Sequence, residues 1–246
     1  MDQQTKAALK QDKFVDTTTH GLEWASAHRQ SLLRTGGIVL AVILILAGGG
    51  LLYASRADKA AVAFGAAMQT YETPLARPGE PVPPGVTTFA SSAERAKAAN
   101  AQFLDIANHH GMTPQGENAL YFAGLTYADA GQNQQAEDTL KKVSGSWSSN
   151  ISALGKFALA QLYRNTGRDP QAIDLYNQLS AKPTTTVPYG VTRLQLADLY
   201  EQEGKKDEAK KVYADLADKD AKGPAGMIAK QKLNPAPAVP RLGMAP

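Results

Sequence analysis

The 246 residues are 43% hydrophobic and 20% charged, with a net charge of +3, a balance that admits one or two folded domains and excludes a wholly disordered chain. The absence of Cys removes disulfides, zinc–thiolate sites, iron–sulfur ligation and thiol nucleophiles. The small net charge speaks against a general nucleic-acid binder, which carries a basic face.

Residues 1–34 are polar, with five Lys/Arg against four Asp/Glu, and read as a short N-terminal segment. Thr17, Thr18 and Thr19, followed by Leu22, Trp24, Leu32 and Leu33, predict a capped juxtamembrane helix with Trp24 near the interface. His20 and His28 stand eight apart without a third ligand, so a solvated face is expected rather than a metal site.

Between Arg34 and Arg56 no residue is charged, a run of 21. As a helix this run reaches roughly 31 Å, the thickness of a bilayer core. A transmembrane helix is expected over 35–56. Gly36, Gly37 and Gly48 to Gly50 suit a membrane span better than a water-exposed helix. A cleaved signal peptide is disfavoured, because the preceding segment is too long for an ordinary basic leader. The Pro-free continuation through Asp58-Lys59-Ala60-Ala61 predicts a helix that runs on. Arg29 and Arg34 before the span nearly balance Arg56 and Lys59 after it, so charge sets only a slight lean towards a cytoplasmic N-terminus.

The remaining chain repeats itself. Tyr127, Tyr163 and Tyr200 are 36 and 37 residues apart, as are Gly131, Gly167 and Gly204, and Ala136, Ala172 and Ala209. Each Tyr closes a first helix, each Gly takes the left-handed position after a helix end, and each Ala begins the buried stripe of a second helix. Leu140/Val143, Tyr176/Leu179 and Tyr213/Leu216 continue that stripe, while Gly124, Ala160 and Ala197 are small where the two helices must approach. Helical hairpins are expected at about 117–150, 153–186 and 190–223, within a domain over 57–233. A degenerate unit over 57–111 precedes them. It has Phe64 and Tyr71 on its first helix and Ala99, Phe103 and Ile106 on its second, with a Pro-rich loop from Pro74 to Ser92 between. Residues 224–233 predict a capping helix and 234–246 a flexible Pro/Ala-rich tail.

This skeleton resembles the tetratricopeptide repeat, with Leu120, Lys156 and Arg193 departing from the family's early aromatic. The expected fold class is therefore all-α, a single transmembrane helix followed by an α-solenoid. Stacked hairpins present a concave surface lined by their first helices. In this register the groove candidates are Asn118, Tyr121, Leu125 and Asp129, then Leu154, Phe157, Gln161 and Arg164, then Val191, Leu194, Asp198 and Glu201. Tyr121, Phe157 and Leu194 hold equivalent places, and either form an apolar strip for an extended peptide or pack inward against the next repeat. Tyr121 and Leu125 stand where some tetratricopeptide domains clamp a terminal carboxylate, so that mode is not expected.

No nucleophile elbow, phosphate loop, His-Glu-x-x-His or Asp-rich calcium loop occurs. The chain is not expected to be an enzyme, nor to need a cofactor, metal or small-molecule substrate. Its arrangement of short segment, single span and repeats resembles the ancillary subunit of the bacterial SecYEG translocon. That resemblance implies an inner-membrane adaptor with periplasmic repeats, meeting secretory chains and linking them to periplasmic chaperones. A structural scaffold of another envelope complex is the alternative.

Overall fold

The computed structural model describes residues 28–77, 79 and 84–235. The expectations for Trp24, His20, the threonine run and nearly all of the tail lie outside them. The described helices are α1 (Arg29–Glu72), α2 (Ser92–His110), α3 (Pro114–Asp129), α4 (Asn133–Ser144), α5 (Ser149–Asn165), α6 (Asp169–Ala181), α7 (Tyr189–Gln202), α8 (Lys206–Lys219) and α9 (Pro224–Leu233). Among the described residues there is no strand, only an isolated parallel bridge between Leu75 and Phe89 that pinches the Pro-rich loop. The chain divides between Ser55 and Arg56 into two units.

In the first unit the apolar side chains from Ile38 to Leu52 lie exposed. The most apolar 18-residue window of α1 has a mean hydropathy of 2.4 and buries none of its surface, so α1 is long and apolar enough to cross a membrane. With no proline in its 44 residues, α1 continues without interruption to Glu72.

The second unit is a helical solenoid whose turns follow from local chemistry. Ser91 caps α2 by accepting from the Glu94 N–H at 3.1 Å, and the Glu94 carboxylate reaches back to the Ala90 N–H at 3.1 Å. Thr113 caps α3 through the Gly116 N–H, with Pro114 at the first helical position. The equivalent glycines Gly131, Gly167 and Gly204 have φ of +73°, +71° and +74°. That left-handed residue lets the next N–H, of Gln132, Arg168 or Lys205, reach back 2.8 Å to the carbonyl of Tyr127, Tyr163 or Tyr200. The tyrosines and glycines thus share a spacing because they are two ends of one helix-terminating motif.

Packing within a hairpin depends on small residues at the crossing. A Cβ on Gly124 would lie 2.6 Å from Leu140 Cδ2, so a larger residue there would force the Leu140 side chain to move. The main core runs through the three regular hairpins. It holds Leu140, Leu159, Tyr176, Leu196, Leu199, Tyr213 and Leu216 around Ala136, Ala172 and Ala209. A second cluster, formed by Ala67, Ala99, Phe103, Ile106, Ala119 and Ala123, joins the last turns of α1 to α2 and α3. Here the Phe103 and Phe122 rings stack at 5.3 Å, with Phe64 5.7 and 5.6 Å from them. Asn100 is buried in the same joint and is satisfied by donating to the Ala123 carbonyl at 2.9 Å and to Thr126 Oγ1 at 3.0 Å.

Candidate groove along the first helices

The first helices α3, α5 and α7 each turn one face to the second helix of their hairpin. The apolar candidates on these helices sit at the rim of the core. Tyr121, Leu125, Phe157 and Leu194 are half-buried and pack against the main cluster. Tyr121 meets Phe122 edge-on at 5.5 Å, and Phe157 meets Tyr176 edge-on at 6.0 Å. Burial pushes the Tyr121 hydroxyl above its usual range. Leu154 packs with Ala153, Leu179 and Val187, whereas Val191 is exposed. Tyr121, Phe157 and Leu194 therefore pack in part against the core. Each ring or branched side chain gives one side to the core and keeps the other accessible.

The polar candidates differ: most of them reach across to a neighbouring unit. Asp129 accepts a hydrogen bond from the Tyr71 hydroxyl of α1 at 2.8 Å. Burial and this carboxylate push Tyr71 up to about 12. Asp129 stands one residue out of step with Arg164 and Glu201, which explains why it turns back to the preceding unit.

Arg164 on α5 is the hub of the next interval. Its guanidinium donates to Gln202 Oε1 at 3.2 Å and Gln195 Oε1 at 3.0 Å, and pairs with the Asp198 carboxylate, all on α7. The arginine is only 17% exposed and the aspartate 46%, so the positive end is held while the negative end faces solvent. Glu201 in turn pairs with Lys232 of α9 at 2.8 Å. Gln161 is exposed and Asn118 half-buried. The candidates therefore form a broken apolar strip beside a series of charge pairs.

Two further networks carry charge away from these candidates. Glu137 on α4 is held by Lys141 at 2.8 Å, Arg168 at 2.7 Å and the Tyr163 hydroxyl at 3.1 Å. The Lys141 ammonium first, then Arg168 and Tyr163 against the opposing effect of burial, hold its carboxyl at about 2. Arg168 also lies 4.3 Å over the Tyr163 ring. On the third hairpin, Asp215 gathers Lys219, the Tyr189 hydroxyl and Arg193. Sequence reasoning missed both networks, and it named Arg164, Asp198 and Glu201 without their partners. The one available signal was opposite charge at a separation near one repeat length, as in Glu137 and Arg168.

A cleft of about 520 Å³ lies at the loop end of the second hairpin, lined by Ser149, Ser152, Lys156, Leu179, Lys182 and Thr184 among others. None of the groove candidates lines it. Among the described residues, no cluster of three His, Asp or Glu side chains could hold a metal ion.

Models of the tetratricopeptide repeat match residues 157–186 and residues 192–222. These segments run from within α5 to the end of the second helix of the third hairpin, and each contains one of the left-handed glycines. No curated protein and no solved structure matches the chain. The matched repeats support a protein–protein interaction adaptor with protein partners.

Proposed function

We propose that the chain is a membrane-anchored adaptor whose groove takes an extended segment of a protein partner. The carrying observation is the recurrence of half-buried Tyr121, Phe157 and Leu194, one per hairpin at equivalent positions, beside the Arg164–Asp198 pair. Each presents apolar area already braced by the core, so a ligand meets side chains that lose little rotamer freedom on binding. The uncharged run before Arg56 serves as the anchor in this reading.

The finer assignment rests on the resemblance of segment, span and repeats to the ancillary subunit of the SecYEG translocon. In that role the repeats face the periplasm of a bacterial inner membrane, meet emerging secretory chains and pass them to periplasmic chaperones. The test is a photocrosslinker placed at Tyr121, and separately at Phe157, in the full chain extracted in mild detergent. Translocon subunits together with many unfolded secretory chains are expected. A single folded envelope protein at equal stoichiometry overturns the translocon role and makes the repeats a scaffold. Crosslinks from neither position overturn the groove.

A further inference from the structure

The helices of the repeat unit alternate in direction, so their connecting segments fall at two ends. Thr70 and Gln102 are hydrogen-bonded at 3.2 Å, and Arg95 donates to the Thr73 carbonyl at 3.1 Å. This antiparallel register between α1 and α2 sets His110 level with residues near Ala60. The α2–α3 segment therefore lies at the end where the repeat unit starts, at Arg56. By alternation the α4–α5, α6–α7 and α8–α9 segments lie there too.

That end carries the two most exposed large apolar side chains of the repeat unit. Met112, between α2 and α3, is 80% exposed, and Trp147, between α4 and α5, is 84% exposed. Their segments are neighbours, since Ser146 Oγ donates to Glu117 Oε1 at 2.9 Å and a small cleft is lined by Gly111, Glu117, Lys142 and Ser146 together. A solvated indole and thioether on neighbouring loops are not accounted for by folding, and an indole is at its best where one edge is apolar and the other wet.

The same end is basic. α4 finishes in Lys141 and Lys142 and α8 in Lys219, with Lys182 just past α6; Lys141 and Lys219 are paired with Glu137 and Asp215, and Glu117, Asp218 and Asp220 lie at the same end, which among the described residues leaves Lys142 and Lys182 as its unpaired lysines nearest Trp147. The helix dipole favours cations at these termini, but it gives no reason for Met112 and Trp147. The opposite end is mixed, with Asp129, Asp169, Glu201, Asp207 and Glu208 near its turns beside Arg164, Arg168, Lys205 and Lys206. Cations around an exposed indole, at the point where the chain follows directly on an uncharged run of bilayer length, fit one partner chemistry.

We propose that the Arg56 end of the repeat unit docks on an anionic lipid surface, with Trp147 and Met112 at the headgroup level and Lys142 and Lys182 against the phosphates. The proposal rests on the reading of residues 35–55 as a span.

The chain has 2 Trp, so Trp24→Phe leaves Trp147 as the sole indole of the full-length protein. This variant is reconstituted into phosphatidylcholine vesicles with or without phosphatidylglycerol, and the vesicles are floated. Both leaflets carry a lipid spin-labelled near the head of its acyl chain. With phosphatidylglycerol the Trp147 emission is expected to shift to the blue and to be quenched. Lys142→Ala and Lys182→Ala are each expected to lower the docked-to-undocked ratio about fivefold. A chain that floats while Trp147 stays solvent-like and unquenched in both vesicle types overturns docking and leaves the anchor intact. Equal quenching without phosphatidylglycerol overturns the anionic surface as the partner. A chain that does not float overturns the anchor and the docking together.

Discussion

The joint between α1, α2 and α3 and the joint between α5 and α7 solve one problem with opposite chemistry. At the first, Phe64, Phe103 and Phe122 interlock and the polar groups of Asn100 and Thr126 close on one another. At the second, Arg164 spans to Asp198, Gln195 and Gln202, and on the preceding interval Glu137 binds Arg168 and Tyr163. A solenoid contacts only its neighbours, so each joint is held by what lies in it. The aromatic joint depends less on charge, with the Tyr71–Asp129 hydrogen bond beside its rings, while the later joints can be loosened by acid and, where exposed, by salt. Identical hairpin geometry therefore does not imply uniform resistance along the chain.

The sharpest break of this contrast is Phe103→Ala. The ring is fully buried, and its removal is expected to cost roughly 3–5 kcal/mol. Hydrogen exchange should show α2 and α3 losing protection ahead of α7 and α8. Uniform loss along the unit would mean that the joints do not act separately.

Acid is the next test. Glu137 sits at about 2, below its ordinary 4.5, so its contribution is fully present above about pH 4.5 and is lost as pH falls towards 2. With the carboxylate 10% exposed and solvent screening allowed for, the loss is expected on the order of 2 kcal/mol. Urea midpoints of the native chain and Glu137→Gln, compared at neutral pH and near pH 2.5, check it: the variant should lose less on acidification. An equal loss in both would place the acid sensitivity elsewhere.

A smaller effect tests the local motif that both regions rely on. At φ of +71°, Gly167→Ala introduces a Cβ into the left-handed region, for about 1 kcal/mol of lost stability in thermal or urea unfolding. Smallest of all in stability is Arg164→Ala, at on the order of 1 kcal/mol or less, because Asp198 is nearly half exposed. Its effect should instead appear as altered crosslinking from Phe157. Unchanged crosslinking would remove the charge ladder from the groove's function.

The hairpins were legible because their determinants are local. Tyr163, Gly167 and Ala172 lie within one helix end and one helix start, and left-handed glycine leaves a mark in any single repeat. Tyr121 and Phe157 were legible as candidates by the same register, although a helix position alone does not say how much of a ring the next hairpin covers. Met112 and Trp147 carried no signal at all, since an apolar residue in a loop is buried or exposed only by what packs over it.

The sequence by itself determined the all-α repeat architecture, the left-handed turns and the 21-residue uncharged run, because spacing within about one helical hairpin fixes them. Tertiary structure alone decided that Tyr71 meets Asp129, that Arg164 meets Asp198 and that Glu137 meets Arg168. These partners are 58, 34 and 31 residues apart and lie on different helical hairpins or units. The small rotation from each hairpin to the next chooses them, and that rotation is set by the summed packing of side chains at the joint.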